Sequence, residues 1–168
     1  ASPKFEPIPD ETAKLEIARR YFTNFAPATI HDAMYYTGAK QAEVKAWLLK
    51  LPVESFDFKE KTYYYIPNGK SYDKEIPPCI FLAGFDQLML GYQKKESIYL
   101  PQEHLRKIFN LSGIVMPALM LDGRIAGKWK KKSNKIAVTL FEKISSTRKK
   151  QIKNIADSLW SDITTMDF

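Results

Sequence analysis

Gln41-Ala-Glu-Val-Lys-Ala-Trp-Leu-Leu-Lys-Leu-Pro-Val-Glu-Ser-Phe-Asp-Phe-Lys-Glu-Lys-Thr-Tyr-Tyr-Tyr-Ile66 is the stretch whose reading decides the fold. Its first part sets Val44, Trp47, Leu48 and Leu51 on one helical face and stops at Pro52. From Val53 the residues turn β-branched and aromatic around a polar Lys59–Lys61 turn, which predicts a hairpin. Toward the N-terminus, Leu15, Ala18, Tyr21, Phe22 and Phe25 form one apolar stripe, so a helix is expected over 11–25, ended by Pro27. Thr29 suits the N-cap of a second helix over 30–36, and Gly38 its end. Three short helices with a glycine turn between the second and third, then a hairpin, is the winged helix-turn-helix order.

Downstream, residues 67–78 mix Pro, Gly, Asn and Ser and read as a loop. Cys79–Leu82 reads as an apolar strand, and Asp86 as the cap of a short helix. A further helix is expected over 101–109, with Pro101 in its first turn. Strands over 114–121 and 124–130 flank Asp122-Gly123, a strong hairpin signal, and a third strand is expected over 135–141. Ser145 or Ser146 caps a last helix with Ile152, Ile155, Ala156, Leu159, Trp160 and Ile163 on one face. The expected class is therefore α+β: a winged-helix domain at 1–66, a linker at 67–78, and a β-rich, hairpin- or barrel-like domain at 79–168 with a C-terminal helix.

Charge is uneven. The chain carries 26 Lys and Arg against 19 Asp and Glu, a net +7. Between Arg124 and Lys153 eleven residues are basic and Glu142 is the one acid, so this segment is +10 and the rest of the chain −3. Such a balance favours polyanionic partners. Lys128, Lys130, Lys131, Lys132 and Lys135 lie around one turn; Arg148, Lys149, Lys150 and Lys153 open the last helix. Two readings of the lysine turn stand: a solvated tip that blunts a sheet edge, or a clamp on phosphates. The first-turn cations of the last helix favour the clamp, because the helix dipole disfavours positive charge there. Lys45 on the third helix and Lys61 in the first hairpin are the other candidate contacts. The third helix is otherwise poor in base-reading side chains. One tyrosine of Tyr63-Tyr64-Tyr65 is a candidate for stacking on a base, the others for the core.

Cys79 is the one cysteine, so no intrachain disulfide forms, which fits a reducing, cytoplasmic location. With His31 and His104 it makes no ligand spacing, and neither a metal site nor a cofactor is expected. No apolar run approaches the ~20 residues of a membrane span, and no membrane partner is expected. Asp86 and Asp122 read as a cap and a turn residue, and no nucleophile elbow or phosphate loop is present, so no catalytic residue is assigned.

Ala18-Arg-Arg-Tyr-Phe22 with Phe25-Ala-Pro-Ala-Thr29, then Leu82-Ala-Gly-Phe-Asp-Gln-Leu-Met-Leu-Gly-Tyr92, then Pro117-Ala-Leu-Met-Leu-Asp-Gly-Arg-Ile-Ala-Gly-Lys-Trp129 occur in an order and spacing that resemble the winged-helix DNA-binding family related to AlkZ and YcaQ. The resemblance implies tandem winged helices followed by a small β-barrel-like domain, duplex DNA as partner, and in some members removal of alkylated or crosslinked bases. It also implies a catalytic Gln-x-Gln or Gln-x-Asp motif in an N-terminal half. Here Gln41, Gln87, Gln93, Gln102 and Gln151 never stand two apart from another Gln or an Asp. The chain accordingly resembles the C-terminal half only, a fragment whose N-terminal partner lies elsewhere. The expected function is the DNA-binding module of a repair-type protein, held mainly through phosphates and not itself catalytic. The alternatives are a sequence-specific transcriptional regulator and an interaction scaffold without DNA affinity.

Overall fold

A computed structural model describes residues 7–69, 76–95 and 97–168. Half of the expected 67–78 linker, residues 70–75, lies outside the described residues. The protein is of mixed α+β class, as expected, and divides into two compact units.

The first unit holds α1 (Asp10–Asn24), α2 (Ile30–Thr37), α3 (Gln41–Lys50), β1 (Glu54–Phe58) and β2 (Lys61–Tyr65). Ala18, Tyr21 and Phe22 of α1 meet Ala33, Val44 and Trp47 in its core; Phe25 and Leu48 pack at the margin, half-buried. The start of α2 is held by a reciprocal cap. The Thr29 hydroxyl accepts from the Asp32 amide, and Asp32 accepts from the Thr29 amide at 2.9 Å. Asp32 is buried, and its other oxygen accepts from the Gln93 amide at 3.0 Å. Tyr21 donates to the Gly91 carbonyl at 2.7 Å and Tyr92 to the Phe25 carbonyl at 2.6 Å. These bonds make Gly91–Gln93, far along the chain, part of the first unit. Gly38 ends α2 at φ 73, a conformation that glycine adopts without steric cost.

The second unit is a five-stranded sheet, order β3-β4-β5-β6-β7: Cys79–Leu82, Ala118–Leu121, Arg124–Lys132, Lys135–Leu140 and Thr165–Asp167. All neighbours are antiparallel except β6 and β7. α6 (Ser146–Leu159) covers one face through Ile152 and Ala156, against Cys79, Leu119, Leu121, Ile136 and Val138. The other face of β3, β4 and the start of β5 packs Leu82, Ala118, Met120 and Ile125 against Met89 of α4 (Gln87–Leu90), Ile108 of α5 (Leu105–Ile108), Leu100 and Phe109. β4 is consequently buried at every position, and its sequence is a continuous apolar run.

Three local expectations shift. The strand expected from Ile114 begins at Ala118, because Pro117 brings no N–H to a ladder; Val115 makes one bridge, to Phe109. The helix expected over 101–109 is a 3₁₀ turn (Gln102–His104) followed by the single turn of α5. β7 was not anticipated: three residues of polar-Met-polar pattern carry no strand signal, and the pairing with β6 exists only through tertiary contact.

Candidate nucleic-acid interface

The second unit's lysines are sorted by a β-bulge. Leu119 pairs with Gly127 and Met120 with Ile125, so β5 carries one extra residue, Ala126. Ile125 points away from α6, into the Met120 cluster. An unbroken alternation would send Trp129 the same way. The extra residue re-phases the strand. Trp129, paired with Val138, turns to the α6 face, where it packs edge-on to Phe81 at 5.5 Å and donates Nε1–H to the Leu82 carbonyl at 2.9 Å. Gly127 is required beside the bulge, since a Cβ there would stand 2.8 Å from the Thr139 carbonyl oxygen.

Past the bulge the cross-strand register decides where each cation goes. Lys128 pairs with Thr139, Lys130 with Ala137 and Lys132 with Lys135, all on the face turned away from α6. Lys130, Lys132, Lys135 and Thr139 are exposed and Lys128 half-buried. No acid occupies a cross-strand position among them, and none of the four lysines has an ion-pair partner among the described residues. Alternate residues on a strand repeat at about 6.6 Å, so Lys128, Lys130 and Lys132 form a straight row of charge.

The remaining predicted residues do not join this row. Lys131 pairs with Ile136 and therefore faces the α6 side, where its ammonium meets Asp162 at 2.8 Å. That bond holds the Asp162 carboxyl below the usual carboxylate range. Arg148 is bonded to Asp122 in the β4–β5 turn and to Gln151 at 3.1 Å. The first-turn cation of α6 thus has an intramolecular partner, and the dipole argument does not require a ligand there. Lys149 lies over the Phe168 ring at 5.2 Å, while Lys150 and Lys153 are exposed. Arg148 is anchored at the Asp122 turn that precedes β5, on the α6 side, while Lys128, Lys130 and Lys132 lie on the opposite face, so the two basic clusters are on different sides of the sheet. Lys45, exposed on α3, and Lys61, half-buried at the start of β2, belong to the first unit.

That unit has its own recess, a cleft of about 680 Å³ lined by Thr23, Asn24, Pro27, Phe56, Tyr65 and Ile66, among others. Of the three consecutive tyrosines, Tyr63 is buried and Tyr64 packs edge-on to Phe22; Tyr65 reaches the cleft with its hydroxyl donated to Glu54.

The profile of one family, DNA glycosylase AlkZ-like, matches residues 1–159. The chain belongs to the AlkZ-like DNA glycosylase family. An interstrand DNA cross-link repair glycosylase of Streptomyces sahachiroi is 26% identical over 143 residues, covering 80% of this chain and 38% of that protein. The solved structure of the Streptomyces sahachiroi DNA glycosylase AlkZ superposes with a TM-score of 0.78 at 18% identity, over 99% of this chain and 48% of that one. The fold of this AlkZ-like chain is thus shared, and the chain spans less than half the length of either relative.

Proposed function

We propose that this chain is a duplex-DNA-contacting portion of an AlkZ-like repair protein and that it grips DNA by phosphate contacts from the outer face of β5–β6. The observation that carries this is the row Lys128, Lys130, Lys132 and Lys135, four cations on one face with no acid opposite them. Phosphate contacts supply affinity and register without reading sequence. Family membership supplies the polyanion: the named relatives are DNA glycosylases. The helices α1–α3 followed by β1–β2 support a winged-helix reading of the first unit, with Lys45 and Lys61 as secondary contacts. We place base-release chemistry outside these 168 residues, in an N-terminal half of a longer protein, because no Gln-x-Gln or Gln-x-Asp motif occurs here. A DNA-repair role implies a cytoplasmic location; among the described residues no helix is long and apolar enough to cross a membrane.

Binding of a random duplex as a function of salt tests the reading. Each phosphate contact contributes about 0.9 to the slope of log affinity against log salt. Replacing Lys128, Lys130, Lys132 and Lys135 together by Ala should flatten that slope by up to about 3.6. Replacing Lys45 and Lys50 should change it by less. If the ribbon variant binds like the parent while the helix variant fails, DNA enters through α3 and the present reading is wrong.

A further inference from the structure

Outside the lysine face, one cluster of side chains stands without a structural explanation. His104 closes the 3₁₀ turn, is only 7% exposed, and has no hydrogen bond at either ring nitrogen among the described residues. Its Nδ1 is sealed from solvent with no partner. Its Nε2 stands 3.7 Å from Glu142 Oε1, too far for a hydrogen bond. A buried ring without a hydrogen-bond partner is costly to a fold, and Nε2 is the nitrogen turned toward Glu142. Glu103 precedes it in the same turn, and Glu142 follows β6. One ligand atom from each of the three residues lies within 4.8 Å of the others. The ring is held in place by Phe141, centroid to centroid 4.7 Å.

We propose that Glu103, His104 and Glu142 bind a divalent transition-metal ion. With ligand bonds of about 2.0–2.2 Å, donor atoms around one ion stand roughly 3–3.5 Å apart. Both glutamates are exposed, so rotation of their side chains closes the remaining gap while the buried imidazole stays fixed. One imidazole with two carboxylates suits zinc, manganese or nickel; magnesium and calcium take oxygen-only sets, and copper(I) favours sulfur. Two carboxylates neutralise the divalent charge, and three protein ligands leave a position for water. The ion would tie the 3₁₀ turn to the end of β6, residues 38 positions apart in the chain. This inference does not depend on the DNA reading.

The metal-stripped whole chain should take up one equivalent of Zn²⁺ by calorimetry and melt at a higher temperature with it, since a ligand specific to the folded state stabilises that state. Mg²⁺ at the same concentration should do neither. Glu103→Gln with Glu142→Gln changes only exposed side chains, so folding is preserved, and it should weaken Zn²⁺ uptake by about 10–100-fold or more. The imidazole ¹⁵N resonances of His104 should shift on addition of Zn²⁺ to the parent chain and not to this variant. Absence of stoichiometric uptake, uptake of equal strength in the double variant, or an unmoved His104 resonance each overturns the proposal.

Discussion

The two exposed hairpins of this chain share a construction and differ in surface. Both β1–β2 and β5–β6 are antiparallel ribbons whose turns place non-glycine residues at positive φ: Lys59 at 48 and Glu60 at 61 in the first, Ser133 at 52 in the second. In β1–β2 the register gathers Phe56, Phe58, Tyr63 and Tyr65 on one face. Its two strand acids are engaged within the ribbon: Thr62 donates to Asp57 at 2.7 Å, and Tyr65 donates to Glu54. In β5–β6 the register gathers lysines, and no acid on the ribbon answers them. Ribbon geometry alone therefore does not make a polyanion surface. What matters is whether the charges on a face find partners within the same ribbon, since only unpartnered cations remain to release counterions from DNA.

The sheet that carries the second ribbon has a closed side under α6, and its closure is testable through Cys79 of β3. Burial pushes this thiol up to about 11, against an ordinary value of 9.0. At pH 8 the folded chain should therefore react with a thiol reagent about 100-fold more slowly than the denatured chain, before any steric protection is counted. The sign also fixes an alkaline effect. Below about pH 9 both states keep the proton; between 9 and 11 the unfolded chain loses it first, so stability falls across that window. Rapid labelling at pH 8 would mean that α6 does not cover this face.

Gly127→Ala attacks the bulge that separates the two faces. The added Cβ meets the Thr139 carbonyl at 2.8 Å, and a loss of about 1–3 kcal/mol in chemical denaturation is expected. An unchanged midpoint would show that β5 tolerates a different path there. The first hairpin should respond in the opposite direction. Its Lys59-Glu60 turn has both residues in the left-handed region, where Asn-Gly is preferred. The double change Lys59→Asn with Glu60→Gly should stabilise the chain by about 1 kcal/mol and leave duplex binding unaltered. Weaker binding in this variant would extend the first hairpin's share of the contact surface from Lys61 to its turn.

The finest distinction lies between adjacent residues. Lys130→Ala should lower the salt slope of duplex binding by about 0.9, and Lys131→Ala by close to zero, because Lys131 faces α6 and is bound to Asp162. Equal effects would mean that the two faces are not distinguished by DNA.

Much of the fold was legible in the residues. The spacing of Ala18, Tyr21 and Phe22, the Thr29 cap, Gly38 and the polar break at Lys59–Lys61 are local signals, and each of these first-unit elements stands within a residue or two of its expected place. The candidate interface was legible as a list of cations, and strand alternation set Lys128 and Lys130 opposite a core Trp129, as the structure has them. Charge counting cannot separate Lys130 from Lys131, and the dipole argument for Arg148 missed Asp122, which lies 26 residues earlier in the chain. Glu103, His104 and Glu142 show no ligand spacing because the third residue lies 38 positions further on, after β6.

By itself the sequence determined the period of each helix and strand, the positions of the turns and the placement of positive charge, because these depend on neighbours within a few residues. Tertiary structure decided which face of the sheet each charge takes and which cations find a partner. One extra residue in β5, visible only against its partner β4, sends Trp129 to the α6 face and Lys128, Lys130 and Lys132 to the other. A strand's side chains alternate with a period of two, so a single inserted residue exchanges the two faces, and nothing within the strand records that exchange.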